Sequence, residues 1–267
     1  MKRKKSKINY KKILIPIILV PLLITVIFLV ENKKDKQEEV IEIPMAGQYV
    51  VANFDTSNKY YTYNDDTYTS MVGIDVSEHN GSIDFKKVKE SGIEFVFIRI
   101  GWRGYTEGGI YKDEMFETYY KDAKENNLKI GIYFFSQAIS PDEAKQEALF
   151  VKETLGDKTI ELPIVYDYET VEDEDGRANN LTLVEVSNNA KAFFSLLENK
   201  YQVMLYANTP LLKLYSQELL DEYPLWYAQF HHTPETNSNF NIWQYSENGE
   251  VEGIEKPTDL NIMMISR

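Results

Sequence analysis

Cysteine is absent from all 267 positions, and histidine occurs only three times. The first absence excludes a disulfide framework, a thiolate zinc site, a cysteine nucleophile and a lipid-modified cysteine anchor. The second leaves little imidazole chemistry. His79 and the adjacent His231 and His232 form no His-Glu-x-x-His pair, and no Gly-x-Ser-x-Gly elbow is present. Asp75 and His79 lack an evident third metal ligand, and Gly101 and Gly104 do not follow the spacing of a phosphate or dinucleotide loop. No metal or cofactor is expected. Positive charge is also scarce where the fold should lie. Residues 1–12 hold seven Lys or Arg, residues 31–70 hold four basic against eight acidic, and 71–267 must therefore carry −16 of the overall −13. Such a domain repels nucleic acid.

A long apolar run occurs once. Ile13 to Val30 is uncharged for eighteen residues, at the lower end of what spans a hydrocarbon core of about 30 Å as a helix. The basic cluster before it places the N-terminus in the cytoplasm and everything after Glu31 outside. A cleaved secretory signal is the competing reading, but the run is longer than a usual signal core and no small-x-small site follows it directly. The expectation is an uncleaved single-pass membrane anchor at 13–30 behind a basic segment at 1–12. Residues 31–70, polar and rich in Asn, Asp, Thr and Tyr, show no sustained period and read as an extracellular linker. The folded domain is placed at 71–267.

Within it, strand-like apolar runs occur at Met71–Val76, Glu94–Ile100, Lys129–Phe135, Leu162–Tyr168, Gln202–Ala207, Leu225–Ala228, Ile242–Tyr245 and Leu260–Met264. Helical segments are expected at Asp84–Glu90, Asp113–Asn126, Asp142–Leu155, Leu183–Asn199 and Pro210–Leu220. Near-continuous apolar strands separated by helices imply a parallel sheet, and eight can close it into a TIM-type α/β barrel. The connections between the last three strands are too short or too broken for crossover helices, so the barrel should be a modified one.

Active sites of such barrels lie at the C-terminal strand ends. Strand one ends in Gly73-Ile74-Asp75-Val76-Ser77, strand four in Tyr166-Asp167-Tyr168-Glu169, and strand eight begins near Asp259-Leu260-Asn261. Asp167 and Glu169 point to the same face, roughly 7 Å apart along the strand. Crowded carboxylates raise one another's pKa, so one retains a proton while another stays ionised. A glycosidase needs that division, with Glu169 the acid and Asp167 the stabiliser. Aromatic residues come to 13%. Phe135, Tyr133, Tyr206, Trp226 and Trp243 offer flat faces to a sugar ring, with amides such as Gln229 bonding its rim. Arg99 is a candidate to orient an acid through a bidentate pair or to balance buried charge.

Together, Gly73-Ile74-Asp75-Val76-Ser77, Ile98-Arg99, Gly131-Ile132-Tyr133-Phe134-Phe135, Asp167-Tyr168-Glu169, Trp226-Tyr227-Ala228-Gln229, Trp243-Gln244-Tyr245 and Asp259-Leu260-Asn261 resemble glycoside hydrolase family 25, the N-acetylmuramidases or lysozymes of bacteria and phages. The resemblance spans 71–267. It implies a modified barrel of eight strands with five helices, and cleavage of the β-1,4 bond between N-acetylmuramic acid and N-acetylglucosamine in peptidoglycan. It also implies that Glu169 is the acid, Asp167 its partner, Asp75 and Asp259 further pocket acids, and Tyr133 a pocket tyrosine. An Asp two residues before the acid is how substrate-assisted enzymes hold a 2-acetamido group, which predicts net retention. The stretch 98–116, RIGWRGYTEGGIYKDEMF, departs from the commoner family pattern. The functional expectation is a membrane-anchored, outward-facing muramidase for local wall remodelling, with passage of an envelope-spanning secretion or conjugation apparatus as one setting. The alternatives are a non-catalytic wall-binding module and another polysaccharide enzyme, such as a metal-dependent deacetylase.

Overall fold

The computed structural model describes residues 41, 43, 47, 49–235 and 239–267. All fall in the unit Val40–Arg267. The expected basic segment and anchor at 1–30 lie outside the described residues. Among those described, no helix is long and apolar enough to cross a membrane.

The strands, in chain order, are β1 Phe54–Asp55, β2 Thr62–Tyr63, β3 Tyr68–Val76, β4 Phe95–Arg103, β5 Ile110–Lys112, β6 Lys129–Ser136, β7 Ile164–Tyr168, β8 Val203–Asn208, β9 Leu225–Ala228, β10 Ile242–Gly249 and β11 Thr258–Ser266. The helices are α1 Phe85–Glu90, α2 Phe116–Glu125, α3 Pro141–Leu155, α4 Leu183–Phe194 and α5 Gln217–Glu222. Local chemistry sets their starts. Ser140 accepts a hydrogen bond from the Glu143 amide ahead of Pro141, and Thr182 with Glu185 forms a reciprocal capping box. The single helix expected over Pro210–Leu220 is instead a 3₁₀ turn, Leu211–Leu214, followed by α5, because Ser216 begins a new helix by capping Leu219. The helix expected to reach Asn199 ends at Phe194.

Eight strands close into a barrel in the order β3-β4-β6-β7-β8-β9-β10-β11, and β11 returns to β3; β5 extends the edge of β4 as a hairpin. Every neighbouring pair from β3 through β10 is parallel, whereas β11 runs antiparallel to both β10 and β3. Its start therefore lies at the mouth where the other strands end, and Asp259 pairs directly with Asp75.

Side-chain alternation divides the core in two. Phe95, Phe97, Val165, Met204, Trp226, Ile242 and Met263 fill the interior, and a larger cluster lies between the sheet and its outer covering. Room for the interior rings comes from Gly73 and Gly131. A Cβ there would stand 2.3 Å from the Phe95 ring and 2.2 Å from the Phe97 ring respectively.

The linker expected at 31–70 is corrected over the part described. Residues 49–70 belong to the fold, with β3 starting at Tyr68 rather than Met71 and with Phe54 and Tyr63 buried. They cover the wall that lacks crossover helices. Phe54 stands edge-on to Trp243 at 5.5 Å, Tyr61 stacks on Tyr245 at 4.2 Å, and Tyr49 meets Phe240 at 5.0 Å. Tyrosine explains why no periodicity betrayed this: a ring can pack while its hydroxyl is hydrogen-bonded, as that of Tyr63 is to Asp65 and that of Tyr61 to His232.

Replacing Gly131 by Ala should destabilise the barrel by about 1–3 kcal/mol through overpacking against Phe97. A lowered urea midpoint at unchanged slope is the expected result; an unshifted midpoint would mean that the interior has slack.

Candidate active site

At the C-terminal mouth, four acids from three strand ends share one cavity of about 520 Å³, with Tyr133, Tyr206, Trp226, Gln229 and Gln244 in its wall. Asp167 and Glu169 face inward from β7 and its first following residue. Asp75 is the next-to-last residue of β3, and Asp259 enters from the reversed β11.

Asp75 is the hydrogen-bonded centre. Its Oδ2 accepts from Gln244 Nε2 at 2.9 Å and from Asn261 Nδ2 at 2.8 Å. Asn261 Oδ1 in turn accepts from Trp226 Nε1 at 2.8 Å, and Gln244 Oε1 accepts from the Tyr206 hydroxyl at 3.2 Å. The chain fixes which amide end faces the acid, since only a donor can satisfy a carboxylate. Asp167 is buried differently. Its Oδ1 has no hydrogen-bond partner among the described residues. The backbone behind Glu169 is held by the buried Gln137, whose Nε2 donates to the Glu169 carbonyl at 2.7 Å.

Burial is the largest influence on all four acids, because it penalises the charged form. It pushes Asp75 up to about 6, Glu169 up to about 7 and Asp259 up to about 9. Asp167 rises well above the carboxylate range, from burial first and then from the charges of Glu169 and Asp75, with Arg99 opposing. At Asp75 the two amide donors pull the other way. The Tyr133 phenol is likewise driven up and stays neutral.

Of the residues singled out from sequence, Asp75, Tyr133, Asp167, Glu169, Tyr206, Trp226, Gln229 and Asp259 line this cavity. Three do not. Trp243 lies on the outer face of β10, one residue out of phase with Gln244, and its indole donates to the Gln229 carbonyl at 2.8 Å. It supports the rim from behind. Arg99 and Phe135 face the mouth but line a neighbouring cavity. Arg99 is held by Asp113 at 2.8 Å and Glu78 at 3.2 Å, which is the charge-balancing role. Trp226 is only 2% exposed and its N–H is already bonded, so it forms floor rather than an open platform. Sequence reasoning missed Asn208, Thr209, Phe230 and Glu247 in the cavity wall, all on loops or strand ends after the last periodic residue. The pairing of Asn261 with Asp75 was accessible, since Asp259-x-Asn261 shares a strand face. Among the described residues no group of His, Cys, Asp and Glu is arranged to hold a metal ion.

A closed eight-stranded barrel with carboxylates massed at its mouth is the architecture of a glycoside-hydrolysing class. The family profile described as glycosyl hydrolases family 25 matches residues 74–254, and the chain belongs to that family. It is 31% identical over 193 residues to an autolytic lysozyme of Clostridium acetobutylicum, a match covering 72% of this chain and 55% of that protein. The chain thus spans about half the length of this curated relative. A family 25 glycosyl hydrolase from Bacillus anthracis superposes with a TM-score of 0.62 at 22% identity, covering 72% of this chain and 88% of that one. The spore cortex lytic enzyme SleM of Clostridium perfringens gives 0.62 at 24% identity, covering 73% and 67%.

Each of the four acids binds its proton more tightly folded than unfolded. The stability they contribute is full below the ordinary values of 3.8 and 4.5 and is lost as pH rises through about 6 to 9. Asp259→Asn should therefore raise the melting temperature more at pH 8 than at pH 5 and flatten the decline between them. An equal shift at both pH values would show that the folded state does not hold this proton.

Proposed function

We propose that the chain is a peptidoglycan hydrolase that cleaves the β-1,4 bond between N-acetylmuramic acid and N-acetylglucosamine, with Glu169 as general acid and Asp167 as its partner. The observation that carries this reading is the buried Asp167 Oδ1, left without a partner two residues before an acid whose pKa is raised to about 7. A free carboxylate oxygen beside a retained proton suits a substrate with an acetamido N–H next to the scissile bond. Glu169 gives its proton to the glycosidic oxygen as that bond to the sugar carbon breaks. Asp167 accepts the acetamido N–H and turns the carbonyl oxygen toward the same carbon. The cyclic cation so formed lies beside ionised carboxylates, and water delivered by Glu169, now a base, opens it with net retention. Family membership and the autolytic lysozyme relative support the reaction class.

The proposed location is the outer face of a membrane, with residues 13–30 as the anchor and the barrel outside. Tethering confines cutting to wall within reach, which suits local remodelling or the passage of an envelope-spanning machine. Protease added to intact cells should digest the barrel and spare residues 1–12.

Glu169→Gln should lower release of reducing ends from purified peptidoglycan by about 10²- to 10⁴-fold, the usual contribution of a general acid. The wild-type rate should fall as pH rises through about 7, where Glu169 loses its proton. Mass spectrometry should find products ending in reducing N-acetylmuramic acid. Reducing N-acetylglucosamine ends, or acetate release abolished by a chelator, would contradict the assignment.

A further inference from the structure

Glu169 stands one residue past the last rung between β6 and β7, which is the pair Ser136 and Tyr168. The chain is clasped again two residues on, where the Val171 amide donates to Asn179 Oδ1 at 2.8 Å and Asn179 Nδ2 donates to the Val171 carbonyl at 2.9 Å. Between ladder and clasp, a side chain reaches the backbone of the acid. Gln137 Nε2 donates to the Glu169 carbonyl at 2.7 Å and to the carbonyl of its own neighbour, Ser136, at 3.1 Å.

Gln137 is fully buried and does not line the acid cavity. Because both of its acceptors are carbonyls, its amide nitrogen must face them. Its Oε1 is thereby turned away, without a partner among the described residues. A buried acceptor left unpaired lowers stability. The amide orientation therefore serves the bond to Glu169 rather than the burial of Gln137 itself.

The segment that carries Gln137 is fixed from three sides. The Gln137 carbonyl accepts from Arg177 Nη1 at 3.0 Å, and Arg177 pairs bidentately with Glu143 at 2.7 and 2.8 Å. Ser136 Oγ donates to Glu147 at 2.6 Å, and the Ala138 carbonyl accepts from Asn189 Nδ2 at 2.8 Å. Glu147 is also held by Arg103 of β4. A bulge brings Arg103 there. The register between β4 and β6 shifts between Arg99 and Gly101; Ile100 lies in the outer cluster, and Gly101 also faces outward, close against the Phe150 ring. Two successive outward residues return Trp102 to the inner side and send Arg103 outward.

We infer that Gln137 is a positioning residue for the general acid: its side-chain amide extends the β6–β7 ladder by one rung and so sets where the Glu169 carboxyl enters the cavity. This rests on the muramidase reading. An acid must come within hydrogen-bond reach of the glycosidic oxygen, and a misplacement of about 1 Å is enough to cost about 10²-fold in rate. The proton on Glu169 depends on the same placement, because burial is the largest cause of its raised pKa. A carboxyl free to swing toward solvent gives up part of that rise.

The test is steady-state release of reducing ends by the full chain carrying Gln137→Met, which keeps the bulk of the side chain and removes its donor. kcat should fall roughly 10- to 100-fold while KM stays within about twofold. The pH at which the rate declines should move below the unsubstituted value of about 7. In the Glu169→Gln background the same replacement should change the residual rate by less than about twofold, since Gln137 acts through Glu169. Gln137→Glu is a second variant of unchanged shape. Its carboxyl donates to the Glu169 carbonyl when protonated and cannot when ionised. Glu143 and Glu147 around this segment are each answered by an arginine, which leaves Glu169 as the acid facing the new carboxyl. The rate of Gln137→Glu relative to the unsubstituted enzyme should therefore recover at pH 5 and be lost at pH 8, and this ratio decides the matter where Gln137→Met fails to fold. If the ratio is the same at both pH values, or if Gln137→Met keeps the unsubstituted kcat and pH profile while Glu169→Gln is impaired, the positioning role is overturned and the acid assignment stands. If Gln137→Met lowers the residual rate of Glu169→Gln as much as it lowers that of the unsubstituted enzyme, Gln137 supports the fold at large and the inference falls. If the unsubstituted enzyme releases no reducing ends, the muramidase reading fails and the inference with it.

Discussion

A carboxylate at the mouth of a closed barrel must be given donors or keep its proton, and Asp75 is where this constraint acts on the whole site. Gln244 and Asn261 reach it from β10 and β11, the two strands that complete the closure. Neither amide could serve both ends of its own chain of bonds if the barrel were open there, because Trp226 and Tyr206 complete the donor sequence from β9 and β8. The remaining acids have no comparable set of donors. Burial and the charges of their neighbours raise Asp167, Glu169 and Asp259 above the ordinary carboxylate range, so the group as a whole retains a proton for acid chemistry near neutral pH.

Closure has a cost on the outside. The last strands follow one another without crossover helices, so the outward faces of Tyr227, Phe240, Trp243 and Tyr245 would stand bare. Residues 49–63 take the place of the missing helices, and the same contact stiffens the rim. Trp243, pressed from outside by Phe54 and Tyr61, donates to the carbonyl of Gln229 in the cavity wall. An apolar face that a helix would ordinarily bury is buried here by tyrosines.

On the opposite wall a helix-backed surface carries a different device. Arg103, beyond the bulge, points outward and is buried against Glu147 at 2.6 Å, with Gly108 and Glu143 carbonyls on its other nitrogens. This anchors the β4–β5 hairpin to α3, so the rings it presents to the mouth belong to a fixed element. Arg177 adds to the same region by pairing with Glu143 and bonding the Gln137 carbonyl, and Gln137 in turn holds the backbone of Glu169. The acid is thereby tied to the outer shell of the barrel.

Much of the fold was legible from periodicity, because strand runs buried on both faces are apolar without interruption and their ends coincide with Asp75, Asp167 and Glu169. The acid pair on β7 needed only the two-residue repeat of a strand to be placed on one face. Three things required the tertiary structure. The reversal of β11 sets Asp259 beside Asp75, and direction is invisible in a run whose pattern reads alike both ways. The role of 49–70 depends on an unclothed wall nearly two hundred residues later. The bulge at Ile100 and Gly101 inverts every side chain beyond it, and it moves Trp102 inward while strand phase alone leaves Trp243 outside. Local sequence sets which residues prefer strand, helix or cap; only closure of the sheet decides which of them meet, because those contacts join segments far apart in the chain.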